Sequence, residues 1–143
     1  MSTPSVRRVS FRDFRRDTST HTRYDALELA FRRGLRIDAY ATDAAPARED
    51  LDFDTALDYA MEDASLLTVV YVPPTFGDAW ETPQNIGGGD WAAYVRDSGV
   101  GVMWTEFGSA SVVEDDGTGG ACVTHMFNYV NDAIAHAEYL AGV

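Results

Sequence analysis

Residues Leu66-Leu67-Thr68-Val69-Val70-Tyr71-Val72 form the most apolar run of the chain, and the Pro73-Pro74 pair after them cannot continue a hydrogen-bonded ladder. A run this rich in β-branched and aromatic side chains, with no polar alternation, fits a strand buried on both faces. Such a strand needs partners beside it and layers above and below it, so the chain is read as built around a sheet. Neither this run nor any other approaches the roughly 18 apolar residues that would span a bilayer.

The flanking segments supply the layers. Thr22-Arg23-Tyr24-Asp25 is a capping pattern that opens a helix, Tyr24, Leu27, Ala30 and Phe31 make its apolar stripe, and Gly34 stops it. Leu35 to Tyr40 alternates with period two and reads as a strand with one dry face. A second helix is expected from about Asp54 to Ala64, opened by Thr55 and Asp58, with Leu57, Ala60, Met61 and Ala64 inward. After a long loop at 73–90 come a short helix around Trp91 to Arg96, strands at Val100–Phe107, Ala110–Glu114 and Ala121–Thr124, and a closing helix from about Phe127 to Ala141. Its stripe is Val130, Ile134, Ala137 and Ala141, and Gly142 ends it. The expected fold class is therefore α+β: a mostly antiparallel sheet of four or five strands with flanking helices. Residues 1–21 carry few large apolar residues (Val6, Val9, Phe11, Phe14) among Ser, Thr, Asp and Arg, and read as an extended Arg-rich arm on a single domain at 22–143.

Charge constrains partners more than fold. The 143 residues carry 23 acids against 11 bases, a formal charge of −12, and all 11 bases are Arg. Sixteen of the acids are Asp. Self-repulsion on this scale opposes compaction unless salt screens it, and at molar salt the Debye length falls to about 3 Å. The composition resembles that of proteins from salt-loving archaea and their viruses. Nine of the 11 Arg residues precede Asp38, so the charge is polarised along the chain. A basic segment on an acidic body suits an acidic neighbouring subunit better than nucleic acid, which the body would repel.

The residues that could carry chemistry do not assemble into a known motif. One Cys excludes an internal disulfide, and Cys122 with His125 is half of a zinc site with no second pair. On a regular strand their odd spacing sends them to opposite faces, so Cys122 reads as a buried, inert thiol. His21 and His136 lie far from that pair in sequence. Asp115-Asp116-Gly117-Thr118-Gly119-Gly120 lacks the acids of an EF-hand and the Lys of a P-loop, and reads as a hairpin turn. Gly87-Gly88-Gly89 follows no strand and reads as a flexible loop. Carboxylate pairs such as Asp50, Asp52 and Asp54 read as a solvated face. No catalytic, cofactor-binding or metal-binding residue is assigned, and no cofactor is expected.

The expectation for function is a non-enzymatic assembly subunit, best matched to a neck, tail or capsid-accessory protein of a tailed virus of a halophile. It would form a ring or lattice of its own copies and other structural subunits, without nucleic acid or membrane. The expected interface comprises Arg7, Arg8, Phe11, Arg12, Phe14, Arg15 and Arg16 on the arm, with Trp80, Ile86 and Trp91 at the aromatic loop. Trp104, alternating with Val100 and Val102, is assigned to the core. The alternative is a small cytoplasmic enzyme or ligand-binding domain with the 73–90 loop as a lid. The N-terminal Met1 to Arg8 has no apolar run behind its charges, so no signal peptide or anchor is expected and the location is the virion or, if cellular, the cytoplasm.

Overall fold

In the computed structural model, which describes residues 3–143, the chain runs β1 (Arg7–Ser10), α1 (Phe11–Asp17), α2 (Arg23–Arg32), β2 (Arg36–Ala39), α3 (Phe53–Asp63), β3 (Leu67–Tyr71), β4 (Gln84–Gly87), β5 (Asp90–Tyr94), β6 (Val100–Thr105), β7 (Ala110–Asp115), β8 (Ala121–Phe127) and α4 (Val130–Ala141). The strands form two antiparallel sheets, ordered β1-β3-β2 and β4-β5-β6-β7-β8. The fold is α+β with a five-stranded sheet, as the periodicities imply, and a second sheet of three strands is added to it.

The chain divides into two compact units, Val6–Val72 and Pro73–Val143, the latter including residues 3–5. The break falls at the Pro73-Pro74 pair rather than after residue 21. In the first unit β3 is central, and all five of its residues are buried. One face of that sheet carries Ile37, Ala39, Leu67 and Val69, all buried. The helices supply the rest of the core through Phe11, Phe14, Ala26, Leu27, Ala30, Ala56 and Ala60.

Residues 7–17 correct the expected arm. β1 adds to the edge of β3 in register Arg7↔Tyr71 to Ser10↔Thr68, which satisfies backbone groups that an arm would leave to water. Ser10 then caps α1, its hydroxyl accepting from the Asp13 N–H at 3.0 Å. Phe11 and Phe14, three apart on α1, are 1% and 2% exposed. Few apolar residues suffice here because both stand on one helix face and a strand edge is ready to receive β1.

Two details of α3 differ from expectation, whereas the ends of α2 agree with it. Thr22 caps α2 as its sequence implies, but α3 is capped by Asp52, which accepts from Thr55 N–H at 2.8 Å; Thr55 is not itself the cap. Met61 is exposed, because the buried side of α3 runs through Ala56 and Ala60. Gly34, at φ 71°, occupies the left-handed turn that ends α2.

In the second unit Trp91↔Trp104 and Trp104↔Ala110 pair across β5, β6 and β7, and α4 packs on this sheet with Ala133, Ile134 and Ala137 buried. The helix expected at 91–96 is instead β5, in which Trp91, Ala92 and Ala93 are buried in a strand paired on both sides. The end of the expected 73–90 loop is β4, and Trp80 is tied by a bridge to Val95. Among the described residues no helix is long and apolar enough to cross a membrane.

Candidate anion-binding site

The helical spacing of α1 that sends Phe11 and Phe14 inward turns Arg12 and Arg16 outward and leaves Arg15, four residues after Phe11, half-buried beside that ring. Behind α1 the chain turns sharply. Thr18 Oγ1 donates to Phe14 C=O at 2.7 Å, Thr20 N–H donates to Arg15 C=O at 3.2 Å, and Ser19 takes a positive φ of 55°. That turn returns the chain toward α1 and delivers Arg23, the first residue of α2. Arg23 in turn donates from Nη1 to the Ala60 carbonyl at 2.8 Å, in the last turn of α3, where carbonyl dipoles favour a cation.

These residues help to line a cavity of about 440 Å³, open to solvent, bordered by Phe11, Arg12, Arg15, Arg16, Thr20, Arg23, Ala64 and Ser65. Four arginine side chains thus contribute to one lining, together with Phe11, Ala64 and the hydroxyl residues Thr20 and Ser65. Only one of the four is neutralised. Arg16 pairs with Asp13 and Asp17, each at 3.1 Å, and its pKa is raised by the hydrogen bond to Asp17 first and by the charges of Asp13 and Asp17 next. Arg15 donates to the His21 carbonyl at 2.6 Å and Arg23 to the Ala60 carbonyl, so both use a donor on a dipole rather than a carboxylate. Arg12 has no hydrogen bond or ion pair among the described residues. With five N–H donors on each guanidinium, Arg12, Arg15 and Arg23 retain ample capacity for an anion.

A second charged cluster lies on the polar face of the three-stranded sheet. Asp38, 6% exposed, accepts from Arg36 at both carboxylate oxygens (3.0 Å each), from Arg8 Nη1 at 3.1 Å and from Asp50 N–H at 2.9 Å. Burial raises its carboxyl pKa, but the Asp50 N–H, Arg36 and Arg8 outweigh that and hold it below the ordinary value. Thr68, opposite Asp38 and buried, lines a small cavity of about 140 Å³ beside this cluster.

The expected interface residues are therefore distributed among different roles. Arg12, Arg15 and Arg16 meet at the large cavity, Arg8 is held by Asp38, and Arg7 stands exposed on β1. Phe11 and Phe14 are core residues rather than contacts on an arm, and Phe11 also floors the cavity. Trp80 and Trp91 are each 3% exposed, and their indole N–H groups donate to Glu138 at 3.1 Å and Glu106 at 2.9 Å. They are core members with a satisfied polar end, not surface anchors. Ile86 is about half exposed on β4. Trp104 is core, as its alternation implies. Arg23, Thr20 and Ser65 were not expected at a site; the 12, 15, 16 spacing was the available signal, since it defines one helix face.

The readings at β8 also change. An extra residue in β8 shifts the register between Val112↔His125 and Val113↔Val123, so Cys122, opposite Glu114, falls on the same face as His125. Cys122 is exposed, not buried. His125 meets His136 of α4 with ring centroids 4.2 Å apart.

Comparison with protein-family models, with curated proteins and with solved structures finds no match for this chain.

Proposed function

We propose that the chain is an assembly subunit whose copies join through unlike, oppositely charged surfaces, the Arg-lined cavity of one receiving an acidic surface of the next. The supporting observation is the set of cavity arginines that use no carboxylate of their own, Arg12, Arg15 and Arg23, in a chain of net charge −12. Acids are abundant around them: Val6–Val72 holds ten Arg and thirteen acids, a net of −3. Pro73–Val143 holds one Arg and ten acids, a net of −9. The positive cavity and the acidic unit are unlike surfaces, and unlike surfaces propagate head to tail into rings or filaments.

The Lys-free, Asp-rich composition supports placing such a subunit in the neck, tail or capsid of a tailed virus of a salt-loving host. Its partners are then other copies and other structural subunits. Exposed ion pairs lose most of their value in concentrated salt. A guanidinium packed over an apolar floor is weakly hydrated and pairs with carboxylates in bidentate fashion, so it keeps more of its selectivity there.

Light scattering of the whole chain at low and at molar salt tests this reading. Oligomers are expected for the natural sequence, with loss of association in Arg12→Ser/Arg15→Ser while circular dichroism stays unchanged. A chain that is monomeric at every salt concentration overturns it.

A further inference from the structure

We infer that the acidic surface received by the arginine cavity is the tip of the β7–β8 hairpin, Asp115-Asp116, of a second copy of this chain. This rests on the assembly reading and specifies its partner. Glu114-Asp115-Asp116 is the only run of consecutive acids in Pro73–Val143. Its last two carboxylates sit at the tip of a hairpin whose strands are six and seven residues long.

The tip presents these groups in fixed orientations. Asp115 Oδ1 accepts from Gly117 N–H at 2.8 Å; Asp116 Oδ1 accepts from Thr118 N–H at 2.8 Å, from Thr118 Oγ1 at 2.6 Å and from Gly120 N–H at 3.3 Å. Each carboxylate thus spends one oxygen on the turn and keeps Oδ2 for an outside donor. The hydrogen bond from the Thr118 hydroxyl is the first cause that holds Asp116 below the ordinary carboxyl pKa, which keeps it charged. Anchored carboxylates lose little rotamer freedom on binding, so more of the contact energy appears as affinity.

Shape agrees with charge. Beyond the two acids the tip is Gly117, Thr118, Gly119 and Gly120, with open space around Gly117 and Gly119, so only slim backbone follows the carboxylates inward. A cavity of about 440 Å³ lies in the range that holds a compact group, here the end of a turn. In the acid-rich segment Glu49 to Asp54 the Asp52 carboxylate is engaged in capping α3, and the Asp50 N–H is bound to Asp38. β8, continuing from the tip, is an edge strand with no Asp, Glu, Lys or Arg, and it exposes Val123 and Met126. It supplies apolar surface beside the charged contact.

Reciprocal charge reversal tests the assignment. One variant carries Arg12→Asp/Arg15→Asp, the other Asp115→Arg/Asp116→Arg, and each is measured alone and mixed by light scattering. Each alone should be monomeric because its cavity and tip bear like charge; the mixture should assemble, because both of its unlike pairings are restored. Asp115→Asn/Asp116→Asn, which keeps the turn acceptors, should weaken association more than about tenfold at low salt.

If Asp115→Asn/Asp116→Asn assembles as tightly as the natural chain while Arg12→Ser/Arg15→Ser does not, this inference falls and the assembly reading stands. If the natural chain stays monomeric, both fall. If the monomer instead binds a DNA duplex at low salt and loses it in Arg12→Ser/Arg15→Ser, the cavity serves nucleic acid and both fall as well.

Discussion

Asp38→Asn is a sensitive probe of the first unit, because four donors converge on one buried carboxylate. Asparagine can keep Oδ1 for the Arg36 Nε and Asp50 N–H donors. It then turns an amide NH2 toward Arg36 Nη2 and Arg8 Nη1, so two attractive contacts become donor against donor. A hydrogen bond to a charged group contributes about 1.5–3 kcal/mol. The Arg8 side chain is 52% exposed and can rotate to water, which discounts its share, whereas the Arg36 side chain is 27% exposed and is less free to do so. The expected loss is about 2–4 kcal/mol, near the lower range for breaking a buried ion pair.

Urea unfolding followed by far-ultraviolet circular dichroism gives the midpoint shift at constant slope. Amide hydrogen exchange on β2 and β3 then localises the loss. All three Trp residues lie in Pro73–Val143, so their fluorescence reports the other unit. The pH dependence follows from the lowered carboxyl pKa. Unfolded, the group titrates near 3.9; folded, it titrates lower, so the unfolded chain binds more protons between the two values. Its stabilisation is complete above about pH 4 to 5 and disappears as pH falls through the folded pKa. The two proteins should therefore converge in acid, while molar salt at neutral pH should leave most of the gap because the cluster is buried. A loss below about 1 kcal/mol, or a gap undiminished in strong acid, refutes the reasoning.

Phe14→Ala should cost about 3–5 kcal/mol, because a 2%-exposed aromatic leaves a cavity that α1 cannot close; a change under about 1 kcal/mol by the same urea assay would return residues 7–17 to the status of an arm. Gly101→Ala should cost at least about 2 kcal/mol, since its Cβ would lie 2.6 Å from the Ala93 carbonyl and 2.4 Å from the Tyr94 ring, and only the ring can move aside. Thermal unfolding read by Trp fluorescence checks the second, and an unchanged midpoint would contradict the β5–β6 packing.

What was legible in the sequence was local periodicity with clear punctuation. Leu66–Val72 reads as a doubly buried strand and is one, and Thr22, Gly34 and Gly142 mark the helix ends they occupy. Strands depending on distant partners were harder. β1 has no pattern of its own beyond Val9, and becomes a strand because β3 offers an edge more than fifty residues away in sequence. β5 was expected as a helix, and its pairing with β4 and β6 makes it a strand. The bulge in β8 erased a parity argument about Cys122 and His125, since one inserted residue exchanges faces.

The same distinction governs the site. Charge polarity along the chain was evident, and so was the Arg face of α1, but a cavity also needs Arg23, at the start of α2, and Ser65, in the turn between α3 and β3. Their placement depends on Phe11 and Phe14 being core: once those rings anchor α1, Arg12 and Arg16 are turned outward and Arg15 is held beside Phe11, so the three share one lining. The arm and the cavity are therefore competing consequences of one heptapeptide, Phe11–Asp17, and what decides between them is whether its two phenylalanines find a core to enter. In concentrated salt that choice favours the helix further, because hydrophobic burial strengthens with many salts while the repulsion among neighbouring guanidiniums is screened within a few ångströms.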